Sequence, residues 1–227
     1  MDEEKKTLKD KKTIYTAEKF VTKKQGVEPW NIEYPDKDIP FDKKYDKEYL
    51  KNGDTRNVVD KYRYFTTEAI VKDLDKTRCD LHIALENWTH DFNIGSIVRT
   101  ANAFNVKSVH IIGPKRWNKK GAMLTDKYMH VYYHETTEDF LKWCKKENLL
   151  IIAIDNVENS QPIEEYVFPK KCMMVFGTES EGITKKIAEN SSIILHITQY
   201  GSTRSINAGA AGAIAMYSYS VQHRNNK

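Results

Sequence analysis

From Arg78 onward the sequence predicts an α/β fold, a mostly parallel sheet with helices on both faces. Three observations carry that reading: aliphatic runs of strand length, helix-period segments set between them, and polar, glycine-bearing clusters at the carboxyl ends of three runs. In open sheets of this kind ligands lie beyond the carboxyl ends of the strands, so the three clusters are candidates for a single pocket.

The elements follow in order. Residues 1–54 are a charged extension, dense in Lys, Asp and Glu, whose apolar residues settle into no sustained period. Such a segment struggles to offset the entropy of ordering itself, and it is expected to be largely extended or disordered. Its lysines and aromatics also suit an arm that contacts RNA. Residues 55–77 read as a short helical linker, with Val58, Val59, Tyr62, Phe65, Ala69, Ile70 and Leu74 on loosely helical spacing. Residues 78–227 form the main domain. Leu81 to Glu86 is a strand, Ile94 to Phe104 an amphipathic helix, and Ser108 to Gly113 a second strand ending in Gly-Pro. Val131 to His134 is a short strand, Thr137 to Glu147 a capped helix, and Leu149 to Asp155 a buried strand. Cys172 to Gly177, Ile183 to Glu189, Ser192 to Ile197 and Ser205 to Tyr219 complete the series as strand, helix, strand, helix.

Charge and cysteines narrow the classes. The net charge of +4 resides after residue 75: the first 75 residues hold 17 Lys+Arg against 17 Asp+Glu, the rest 19 against 15. A mildly basic folded part permits a nucleic-acid partner. Cys79, Cys144 and Cys172 are odd in number and widely spaced, which indicates neither a disulfide framework nor a zinc site. With no run of about 18 apolar residues and no signal-peptide core, the expectation is a cytoplasmic protein. His90, His130 and His134 lack metal-ligand spacing, and no metal is expected.

The chemistry concentrates in the three clusters. In Asn93-Ile94-Gly95-Ser96-Ile97-Val98-Arg99, Asn93 stands where a helix cap belongs, and Arg99 sits among apolar and small residues, where a guanidinium calls for an anionic partner. In Phe176-Gly177-Thr178-Glu179-Ser180-Glu181-Gly182, two acidic residues occupy the strand-to-helix turn, which repels phosphate and suits a cationic or neutral ligand. The third cluster, Thr198 to Asn207, delivers Ser205 and Asn207 to an Ala/Gly-rich helix whose small residues allow close backbone approach. A basic stretch, Lys107 to Lys127, places Lys115, Arg116, Lys119 and Lys120 around Trp117, a pattern suited to phosphate contact and base stacking.

In this order and spacing the three clusters resemble the motifs of the SpoU/TrmH group of the SPOUT superfamily of RNA methyltransferases, over about Cys79 to Tyr219. The resemblance implies a C-terminal deep trefoil knot, S-adenosylmethionine as cofactor, and methyl transfer to a ribose 2′-hydroxyl of tRNA or rRNA by a homodimer joined through knot-region helices. It implies catalytic roles for Arg99, Asn93, Glu179, Ser205 and Asn207, with Arg99 stabilising the developing alkoxide, since its pKa above about 12 makes it a poor base. It implies cofactor contacts at Gly177, Ile197, Gln199, Gly201 and Ile206, and leaves Arg204 as a further RNA or subunit contact. Ile206 and Thr198 stand where the family usually has Leu and Pro; both changes fall at apolar or backbone contacts. The rival expectation is an RNA-binding member of the same fold without catalysis, against which these five polar residues count.

Overall fold

The computed structural model describes residues 26–88 and 93–224. The chain divides into two compact units at Thr66/Thr67.

Within residues 26–66, helix α1 (Trp30–Glu33) and helix α2 (Lys47–Asn52) flank a small polar and aromatic centre. The Asp46 carboxylate caps α2 by accepting from the amides of Glu48 and Tyr49. Asp54 is fully buried and accepts from the Arg56 amide and guanidinium and from the Tyr64 amide. Burial alone would raise its carboxyl, but these donors hold it below the ordinary value. The Trp30 ring lies against Tyr34, Tyr45 and Tyr64. From residue 26 onward, then, the expectation of a disordered extension fails. Composition averages the charges, whereas the unit is held by the buried Asp54–Arg56 ion pair and a few rings that come together only in three dimensions. Residues 1–25 lie outside the described residues. The helix expected across 55–76 is also shorter: α3 spans Thr67–Asp75, and the left-handed Tyr64 (φ 62°) interrupts any helix before it.

The second unit carries the predicted sheet. Its strands are β1 (Leu81–Glu86), β2 (Ser108–Ile112), β3 (Val131–His134), β4 (Leu150–Ile154), β5 (Gln161–Pro162), β6 (Cys172–Phe176) and β7 (Ile193–His196). All pairings among them are parallel, in the order β3-β2-β1-β6-β4-β7-β5. The helices are α4 (Asn93–Ala103), α5 (Thr137–Lys146), α6 (Lys185–Asn190) and α7 (Ala208–Arg224). Leu81, Ile83 and Leu85 face Ile94, Ile97 and Val98 of α4 and Ala215 and Met216 of α7. On the other side Ala84, Ile112 and Val175 pack with Phe140 and Cys144 of α5 and Ile187 of α6. Helices on both faces explain why β1, β2 and β6 are buried at every position and read as continuous aliphatic runs. The edge strand β5 has two residues and no sequence signal of its own.

On the α5 face a chain of hydrogen bonds crosses three strands. His82 Nδ1 lies 2.6 Å from Ser108 Oγ, which lies 2.8 Å from His110 Nε2, and His110 Nδ1 lies 2.8 Å from His134 Nε2. All four side chains are buried, beneath Trp143 and Phe140. Burial, with Lys171 and Lys107 nearby, pushes His82 down to about 4, and burial lowers His110 and His134 as well.

Because every strand runs the same way, the loops after β1, β4, β6 and β7 open at one edge. Strand β7 enters the sheet between β4 and β5, inside the span closed by residues 155–160. Among the described residues no helix is long and apolar enough to cross a membrane.

Candidate active site

Three loops meet at that edge. Asn93, the first residue of α4, donates through Nδ2 to Glu179 Oε2 (2.6 Å), and its oxygen accepts from Asn207 Nδ2 (2.8 Å). The Asn207 amide also reaches Glu179 Oε1 at 3.3 Å. The sequence reading makes Asn93 a cap of α4; in the structure its oxygen is engaged by Asn207, because the third loop closes onto it. Asn207 itself caps α7, its oxygen accepting from the amides of Gly209 and Ala210. Residues 86 and 114 positions apart in sequence are thereby tied into one polar triangle.

Each side of the triangle has a local cause. Thr178 and Gly182 exchange backbone hydrogen bonds (3.0 and 2.8 Å), closing the turn that presents Glu179. Gly182 adopts φ 72° directly over the Asp155 carboxylate, a conformation and a contact that exclude a side chain. Asp155 in turn accepts from the Ile183 amide at 2.8 Å. The start of α7 presses against α4: a Cβ on Gly209 would stand 3.3 Å from Ser96 Cβ, and one on Gly212 would stand 3.1 Å from Ile97. These two glycines serve the contact between α4 and α7 of the same chain.

Beside the triangle lies a cavity of 580 Å³, a size suited to a cofactor. Gly177, Glu179, Ile197, Gln199, Ser205, Ile206 and Asn207 line it. Asp155, Glu179 and Glu181 give it acidic walls, and no Lys or Arg is among its described lining residues. Gln199 Oε1 is buried with no hydrogen-bond partner, an acceptor left for a donor that the chain does not supply. Gly201, expected at the cofactor, is exposed and has nothing within 4 Å of where its Cβ would be, because it lies at the outer bend of the loop.

Arg99 is exposed on α4 about 9 Å along the axis from Asn93, with no carboxylate partner among the described residues, and it lies outside the cavity lining. Lys115, Arg116, Lys119, Lys120 and Arg204 are exposed, with Lys119 paired to Asp126 at 3.0 Å. Trp117 corrects the sequence expectation: it is only 7% exposed and belongs to the core beside α4, so it offers no face to a base. The basic loop leaves the sheet next to α4, and its tryptophan turns inward. His130 bonds to Asp75 and His134 joins the buried chain, while His90 lies outside the described residues. No group of three metal-ligating side chains occurs among the described residues.

Sequence reasoning placed Glu86 in the polar cluster that follows β1 but gave it no role. Buried at the end of β1, its carboxylate accepts from the Thr184 amide and hydroxyl (2.8 Å each) and from Trp88 Nε1 (3.1 Å). It fixes the second loop against the first. An acid closing an otherwise aliphatic strand was the available signal.

A family model described as the SpoU rRNA Methylase family matches residues 80–217. The tRNA (guanosine(18)-2′-O)-methyltransferase of Escherichia coli K12 is 25% identical over 155 residues, covering 67% of this chain and 68% of that protein. The Saccharomyces cerevisiae protein of the same name is 30% identical over 154 residues, 65% of this chain, and the match spans 11% of the yeast protein. Among solved structures, the A. aeolicus TrmH/SpoU tRNA modifying enzyme superposes with a TM-score of 0.61 at 24% identity, covering 69% of this chain and 81% of that one. A SpoU methyltransferase from Streptomyces viridochromogenes, in complex with the cofactor AdoMet, gives 0.60 at 17% identity over 68% of this chain and 62% of that one.

Proposed function

We propose that this chain, which belongs to the SpoU rRNA methylase family, transfers a methyl group from S-adenosylmethionine to a ribose 2′-hydroxyl of tRNA. The observation that carries the proposal is the Asn93–Glu179–Asn207 triangle set beside a cavity with acidic walls and one unsatisfied acceptor. The names of the E. coli and yeast relatives support tRNA over rRNA.

The lining residues fit the cofactor. Gln199 Oε1 accepts a hydrogen bond from an amino group of the ligand, and the carboxylates of Glu179, Glu181 and Asp155 favour a cationic sulfonium over a phosphate. When bound, S-adenosylmethionine supplies an electrophilic methyl group for in-line attack. The chain's own task is to hold the ribose and stabilise the oxygen as it loses its proton. Arg99, exposed and unpaired among the described residues, does this by placing a fixed positive charge at the alkoxide; Asn93, Glu179 and Asn207 hold α4, the second loop and the start of α7 in register, and Ser205 borders the same cavity. Lys115, Arg116, Lys120 and Arg204 take RNA phosphates.

The insertion of β7 within the span of residues 155–160, pinned where Asn156 Nδ2 donates to the Arg204 carbonyl, supports a trefoil knot. Ala210, Ile214, Tyr217 and Val221 form a stripe along α7 in which Ile214, Tyr217 and Val221 are 40, 61 and 41% exposed. That stripe supports a homodimer through α7. The three free cysteines accord with a reducing, cytoplasmic setting.

The test is incubation of the purified chain with labelled S-adenosylmethionine and tRNA transcripts, followed by nuclease digestion. Label in 2′-O-methylated nucleosides is expected. Methylated bases would sink the ribose assignment, and tight tRNA binding without transfer would favour the non-catalytic RNA-binding alternative.

A further inference from the structure

We infer that Trp88 is a stacking platform for a nucleobase of the bound RNA, flanked by the cations of the loop after β2; the inference rests on the RNA methyltransferase reading and adds a binding site to it. Trp88 leaves β1 two residues after Glu86 and five before Asn93. Its side chain is held at two points. Nε1 donates to the buried carboxylate of Glu86 (3.1 Å), and the benzo edge rests on Gly113, where an added Cβ would come within 2.9 Å of Trp88 Cε3. Gly113 adopts φ 103°, so both its conformation and the indole above it demand glycine. The indole N–H is therefore satisfied inside the protein, yet the residue remains 41% exposed. An exposed tryptophan held this firmly has already lost the side-chain freedom that stacking would otherwise cost.

Its surroundings select the ligand. β1 and β2 are neighbours with Glu86 opposite Ile112, so Trp88 and the 113–116 turn leave the sheet side by side. Asn87, fully buried between them, clamps that turn by donating to the carbonyls of Pro114 (2.6 Å) and Arg116 (3.1 Å). The backbone of the turn that carries the exposed Lys115 and Arg116 is thus fixed next to the segment that carries Trp88. The Glu86 carboxylate that holds the indole is itself buried and accepts from Thr184 as well. A ring face next to a clamped turn that carries two cations matches a base with its phosphates, the combination that single-stranded nucleic acid presents. A protein partner is the competing occupant, and the measurements below separate the two.

The chain holds four tryptophans, so the fluorescence difference between wild type and Trp88→Phe isolates Trp88. Titration with tRNA transcript is expected to quench that difference. Trp88→Ala should raise KM for tRNA roughly tenfold, in line with the loss of one stacked base, while kcat and the S-adenosylmethionine affinity measured by calorimetry stay at wild-type values. Trp88→Phe should recover most of the loss and Trp88→Leu little of it. Methyl transfer that proceeds with unquenched Trp88, a wild-type KM in Trp88→Ala, or equal rescue by Leu and Phe would overturn the platform and leave the methyltransferase reading intact. A wild-type protein that neither binds nor methylates tRNA would overturn both.

Discussion

Two polar networks cross this sheet, and they differ in what they leave unsatisfied. The His82–Ser108–His110–His134 chain lies buried under Trp143 and Phe140, and each link in it is a short hydrogen bond. Each contact needs one donor and one acceptor, so with neutral rings the tautomer of His110, which faces Ser108 with one nitrogen and His134 with the other, sets the role of each neighbour toward it. The Asn93–Glu179–Asn207 triangle is exposed at the carboxyl edge; the cavity beside it holds a buried unpaired acceptor, Gln199 Oε1, and farther along α4 stands Arg99, with no carboxylate partner among the described residues. Saturation suits the first network to structure; open valences make the second one the candidate for chemistry. Histidine-rich clusters attract functional readings, but in this chain the proposed site is built on two asparagines and a glutamate.

The comparison breaks if catalysis follows the wrong network. The largest effect is expected at Arg99: Arg99→Ala should lower kcat roughly 100- to 1,000-fold while S-adenosylmethionine affinity, read by calorimetry, is retained. Wild-type turnover in that variant would remove the guanidinium from the mechanism. Next is His110→Ala, which leaves Ser108 and His134 without their central partner and opens a void; urea unfolding should show a loss of about 3 kcal/mol, with activity per folded molecule unchanged. An activity loss greater than the folding loss would make the histidine chain part of the site.

The same chain predicts a pH dependence. The folded-state pKa values of His82 and His110 lie below the ordinary histidine value, so the unfolded chain binds more protons. Their contribution is complete above about pH 6.5 and declines as pH falls, that of His82 being lost by about 4, its folded value, and that of His110 continuing to fall below it. Within that window each such histidine removes about 1.4 kcal/mol for every pH unit of acidification. Urea unfolding at successive pH values should show this decline above the range in which carboxylates titrate, and His82→Gln should flatten it. Gln199→Ala sharpens the other side of the comparison: losing one neutral acceptor should weaken S-adenosylmethionine binding up to about tenfold and leave KM for tRNA in place. The smallest effect is expected from deleting residues 1–66: KM for tRNA should rise by a few-fold with cofactor affinity constant, and an unchanged KM would remove that unit from RNA binding.

The sequence by itself determined the strands of the sheet other than β5, the helices that cover it and the edge at which the candidate site lies. Parallel strands covered on both faces must be continuous aliphatic runs, and loops that bind must be polar, so β1, β2, β4 and β6 and the Asn93, Glu179 and Asn207 clusters were legible locally. Only tertiary structure decided what those clusters do to one another: that the Asn93 oxygen accepts from Asn207, that Gly209 and Gly212 serve α4, and that Gln199 keeps an empty acceptor. It also buried Trp117 in the core and held Trp88 at the surface, and it ordered residues 26–66 around Asp54 and Arg56. The reason is physical. Periodicity records which side of an element is buried, whereas hydrogen-bond partners, close approaches and the exposure of a single ring depend on groups far away in sequence, and those meet only once the chain is packed.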